Sequence, residues 1–198
     1  MDDGVDFARD GGIMTPRWVG LVLFAVLVAH AVFAKLPYGL LFEMFWACHV
    51  ATAIAALGVL LQKRELIVVG FSFHLGAGCW GYLIDLIATC TTTWTSVLVH
   101  VAPLSVGYVE VRRSGLPRWA PWASFAFLST MVVFAYFFTP PDLNVNLAHR
   151  AWPPVARLTS ALWVTWATNL CFGFFLMMTT DWLARKWLGR TGCVEFGS

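Results

Sequence analysis

The stretch TSVLVHVAPLSVGYVEVRR (residues 95–113) decides how the chain is to be read. It is long and apolar enough to lie in lipid, yet it carries His100 near its middle and Pro103 three residues later. A proline inside a helix has no amide proton to donate and pushes away the carbonyl four residues earlier, here that of Val99. A histidine and a freed carbonyl thus stand close together at a depth where water is scarce. Unsatisfied polar groups are expensive there, so ionisable residues in a span are read first as candidates for function.

Composition agrees with a membrane setting. Hydrophobic residues make up 59% of the 198 and charged residues 12%, against about 25% charged in soluble domains. Mean hydropathy is +0.72. The 11 tryptophans suit a protein with two bilayer interfaces to occupy. A net charge of +2 makes no case for a nucleic-acid partner. The cysteines at 48, 79, 90, 171 and 193 form no CxxC pair, so neither a disulfide framework nor a thiolate metal site is expected.

A helical span needs about 20 apolar residues, and six segments qualify: 18–36, 40–61, 66–88, 92–111, 119–139 and 154–187. The expected fold is an all-α polytopic membrane protein with six transmembrane helices in one domain. Polar tails flank it at 1–15 and 190–198. With the N-terminus inside, Arg9, Arg17, Lys63, Arg64, Arg112, Arg113, Arg118, Arg185, Lys186 and Arg190 face inward, and only Lys35, Arg150 and Arg157 face outward. That positive-inside bias puts both termini on the cytoplasmic or matrix side. The outer loop PPDLNVNLAHRAWPP (140–154) fits either a functional loop or a plain interfacial turn. Tryptophans 18, 94, 119, 122, 152, 182 and 187 read as interfacial anchors, and Gly76, Ala77, Gly78 and Gly81 as a close-packing string.

At 1.5 Å per residue, counted from the outer ends of the helices, His30 lies roughly 9 Å deep, His49 about 12–13 Å and His100 about 12 Å. Glu43 and Asp85 fall near the outer helix ends, and His74 falls in the opposite half. Three chemistries suit this layer. The first is nucleophilic, with Cys48 or Thr52 activated by His100 and with Asp85 or Glu43 orienting the ring. The second is zinc or haem ligation by His30, His49 and His100. The third is a proton or ion path.

The segments FWACHVATA (45–53), SVLVHVAPLSVGYVEVRR (96–113) and TNLCFGFFLMMTTDWL (168–183) resemble two groups of six-span proteins, the YwaF type and the ADTRP type. The resemblance implies a nucleophile on an early helix and a histidine on a later one. It matches Cys48 to the cysteine of the YwaF type, and Thr52 is the threonine nearest to that of the ADTRP type. His100 is the transferable histidine in both. The implied function is an intramembrane enzyme that hydrolyses or transfers a lipid acyl chain, with His100 as base and Cys48 or Thr52 as nucleophile. Asp85, from its place near the helix end, is the candidate orienting group, and no cofactor is expected. The expected partners are membrane lipids, a lipid substrate, and a second copy or a larger membrane complex. The alternatives are a transporter, channel or structural subunit without enzymatic activity, or a haem or metal protein.

Overall fold

The computed structural model describes residues 15–151 and 161–191. Arg9, Trp152, Arg157 and Cys193, the tails 1–14 and 192–198, and the proposed start of the last helix at 154 lie outside the described residues. No strand occurs among the described residues.

Helix α1 (Arg17–His30) starts behind Pro16 and runs on through a π turn (Ala31–Lys35) and a 3-10 turn (Leu36–Tyr38). Gly39, with φ at 71°, ends it. A second 3-10 turn (Leu41–Phe45) precedes α2 (Ala47–Leu61). Helix α3 (Arg64–Phe73), a π turn (His74–Gly78) and α4 (Cys79–Thr89) make one continuous rod. Then come α5 (Trp94–Ser114), α6 (Ala120–Phe138) and α7 (Leu162–Thr191). Four of these units, Arg17–Tyr38, Arg64–Thr89, Ala120–Phe138 and Leu162–Leu188, are long and apolar enough to cross a membrane. Helix α2, at 15 residues, is short for the hydrocarbon core. Helix α5 has length enough, but Glu110, Arg112 and Arg113 make its last turns polar.

The 95–113 stretch forms the expected helix, and its first turn is capped by Thr93, whose hydroxyl accepts from the Ser96 amide at 3.2 Å. The centre of the bundle lies elsewhere. Half of the most apolar window of the Arg64–Thr89 rod is buried, against 17–33% in the other three candidate spans. The rod packs on α2, α5, α6 and α7, and small residues let it do so. A Cβ at Gly107 of α5 would meet Phe71 Cβ at 2.3 Å, and one at Gly76 would meet Met177 Cα at 2.9 Å. Gly81 has open space around it, so the close-packing string ends before it.

Helix α2 starts at Ala47 and not near residue 40, because a distant residue caps it. Asn146, buried in the 3-10 turn Val145–Leu147, accepts from the Ala47 amide at 2.7 Å and donates to Phe45 and Met131 carbonyls at 3.0 and 3.1 Å. Asn169 of α7 donates to the Asn146 carbonyl at 3.0 Å. The loop from 140 is therefore a plug that satisfies helix ends, and its described part reads as structure. The other end of the bundle carries the basic residues. There Glu110 accepts from the Thr15 amide and hydroxyl, Arg64 donates to the Ser114 and Gly115 carbonyls, and Arg185 donates to Leu116 and Pro117. The six predicted anchor tryptophans within the described residues, 18, 94, 119, 122, 182 and 187, are all exposed.

Candidate functional site

Four histidines, each on a different helical unit, are buried in the bundle: His30, His49, His74 and His100. Their arrangement follows from hairpin register. In an antiparallel helical hairpin, residues equally far from the turn come level. Thr52 stands eleven residues before Lys63 and His74 eleven after it. Tyr82 and His100 each stand nine residues from Thr91, while His30 is nine before Gly39 and His49 ten after it. All three pairs meet.

Thr52, wholly buried, is the hub. Its hydroxyl lies 2.9 Å from His74 Nε2, 2.9 Å from its own helix carbonyl at Cys48, and 2.9 Å from the Val99 carbonyl of α5. The carbonyl that Pro103 frees is thus taken up by a threonine from another helix. A hydroxyl has one proton and carbonyls only accept. The assignment that satisfies most atoms has His74 Nε2–H donating to Thr52 Oγ1, whose own proton serves the carbonyls. His74 Nδ1 is then a buried lone pair without a partner, and Gly78 leaves room beside it.

His100 Nδ1–H donates to the Ser96 carbonyl at 2.8 Å, which fixes Nε2 as an acceptor. Its ring stacks on Tyr82 with centres 4.2 Å apart and meets the His74 ring edge-on at 5.7 Å. The Tyr82 hydroxyl is bonded in turn to Thr92.

His49 Nδ1–H donates to the Glu43 carbonyl at 2.9 Å. His30 Nδ1 lies 3.0 Å from the Thr95 hydroxyl. The His30 and His49 ring centres are 4.8 Å apart, and His30 Nε2 is buried with no partner.

The structure rearranges the predicted site. Thr52 pairs with His74, the histidine expected in the inner half of its helix. It does not pair with His100. Cys48 packs against the apolar cluster of α2, α6 and Phe73, and its thiol makes no hydrogen bond to an imidazole among the described residues. Asp85 is exposed on α4 and orients no histidine among the described residues. The Glu43 carboxylate is held by Lys35 at 2.5 Å, so Glu43 reaches a histidine only through its backbone. No group of three His, Cys, Asp or Glu side chains among the described residues is placed to hold a metal, so His30, His49 and His100 do not converge as a trio. The described cysteines 48, 79, 90 and 171 are free thiols.

Two clefts border the bundle. One of about 510 Å³ lies at the loop end beside Tyr136, Asp142, His149 and Arg150. The other, of about 460 Å³, is apolar and lies between the rod, α5 and α7, beside Phe71, Leu75, Trp80, Leu104, Tyr108 and Trp187. Leu75 follows His74 in the chain, and Leu104 stands one helical turn from His100 on the same face.

The chain matches no family model, no curated protein and no solved structure.

Proposed function

We propose that this chain is an intramembrane enzyme that hydrolyses or transfers an acyl chain of a lipid, with Thr52 as nucleophile. The observation that carries the reading is the 2.9 Å separation of Thr52 Oγ1 and His74 Nε2, buried next to a second imidazole, His100. A hydroxyl beside an imidazole is the minimal activated nucleophile. In the reactive tautomer His74 carries its proton on Nδ1, and Nε2 takes the Thr52 proton as Oγ1 attacks the ester carbonyl. The leaving alcohol recovers that proton, and water or an acceptor alcohol then releases the acyl group from Thr52. The apolar cleft reaching Leu75 and Leu104 suits a single acyl chain entering sideways from the bilayer. The reading includes six spans, with α2 and α5 crossing beside the four longer units, and both termini on the cytoplasmic or matrix side. The lysine and arginine distribution supports that orientation.

The test is labelling by a serine- and threonine-directed phosphonate probe in membranes. Labelling should vanish in Thr52→Ala and fall about a hundredfold or more in His74→Gln. His100→Ala measures whether the second imidazole contributes. Equal labelling of wild type and Thr52→Ala overturns the proposal.

A second reading has its own support. Thr52 has no exposed surface and neither cleft is lined by it, as befits a polar knot in a non-enzymatic membrane subunit or transporter. An unlabelled wild type that stays with other subunits through gentle solubilisation would favour it.

A further inference from the structure

The nucleophilic reading makes no use of His30 and His49. Both rings are buried, one at the end of α1 and one in the first turn of α2. His30 stands immediately before the π turn Ala31–Lys35, and π turns inside helices gather at functional sites.

The tautomers can be read from the partners. The Glu43 carbonyl only accepts, so His49 carries its proton on Nδ1 and presents a bare Nε2. For His30, a run of donors from Nδ1–H to Thr95 Oγ1, then from the Thr95 hydroxyl to Thr93 Oγ1 at 3.1 Å, satisfies each atom in turn. His30 Nε2 is then bare as well, and it is buried without a partner. Two imidazoles whose Nδ1–H groups are tied to protein oxygens are oriented as metal-ligating histidines usually are. Lys35, at the end of the π turn that continues α1, is neutralised by its bond to Glu43 and does not repel a further positive charge in full. Two imidazoles on one tetrahedral ion, with Zn–N distances of about 2.0–2.1 Å, hold their ring centres about 5 Å apart, and here the separation is 4.8 Å.

We propose that His30 and His49 together bind a divalent transition-metal ion of the zinc class through their Nε2 atoms. The two remaining tetrahedral positions are left to water or an anionic ligand. This site is separate from Thr52 and stands or falls independently of the acyl-transfer reading.

The experiment uses the full chain purified in detergent, loaded with Zn²⁺ or with Co²⁺ as a coloured substitute, desalted and assayed for metal. Wild type should retain the metal stoichiometrically, and the cobalt form should show the visible absorption of a tetrahedral ion. Retention should be lost in His30→Gln and in His49→Gln and kept in His149→Gln. Thr95→Ala keeps both ligands and removes only the tie on His30, so it should bind about tenfold more weakly. A wild type that retains neither ion overturns the proposal without any variant. So does retention in His30→Gln and His49→Gln equal to wild type.

Discussion

The His74–His100 pair and the His30–His49 pair use the same side chain at similar burial to opposite ends. Around His74 one hydroxyl gathers the polar atoms: Thr52 takes the imidazole, its own helix and the carbonyl freed by Pro103, binding α2, the central rod and α5 together, and His74 Nδ1 is left over. Around His30 the bonds go outward, to Thr95 and to the Glu43 backbone, so the two rings in contact share no partner and His30 Nε2 is left without one. The first arrangement ties three helical units through one shared hydroxyl, and the second ties α1 to α5 and His49 to its own chain, with no group shared by the two rings.

That contrast can be broken by mutation. The largest effect is expected where the rod itself is displaced. In Gly76→Leu the new side chain meets the Met177 backbone and should destabilise the bundle by about 3 kcal/mol in denaturant unfolding from detergent. Thr52→Val keeps the shape and removes the hydroxyl, leaving His74 and the Val99 carbonyl without their partner. A loss of about 2 kcal/mol is expected. The double change His30→Leu with Thr95→Val removes both members of a bond in the open pair and one buried lone pair with them. It should stay within about 1 kcal/mol of wild type. If the double variant loses more stability than Thr52→Val, the division into a binding knot and an open pair is wrong.

Much of the fold was legible. Apolar segments long enough to span a bilayer announce helices whatever their packing, and Gly39 and the charged 62–65 turn mark real hairpin turns. The start of α2 was not legible, because nothing near residue 46 signals a break. The cap is Asn146, a hundred residues away, and only the folded chain brings its amide to Ala47. The π turns were equally hidden, since no local residue pattern dictates them. For the site, Thr52 and His100 both lie in the buried polar cluster, and the freeing of the Val99 carbonyl followed from Pro103 alone. His74 was set apart because depth was counted helix by helix, which does not show which residues of neighbouring helices come level. Counting both ways from Lys63 would have placed it opposite Thr52. The surroundings of Cys48 and Asp85 were not legible either: periodicity gives a direction on the helix, and only the neighbours decide whether that direction faces an imidazole, an apolar cluster or the surface.

By itself, then, the sequence determined that this chain is helical, suited to a membrane and furnished with buried histidines, because the transfer of apolar helices into lipid depends on local composition. Only the tertiary structure decided which helix is central and which histidine meets which partner. Those outcomes depend on close contacts such as Gly107 on Phe71 and on caps supplied from distant loops. At position 100 the 95–113 stretch supplies an imidazole, and at position 99 a carbonyl. What those groups do is set by Thr52, His74 and Tyr82, all from other helices.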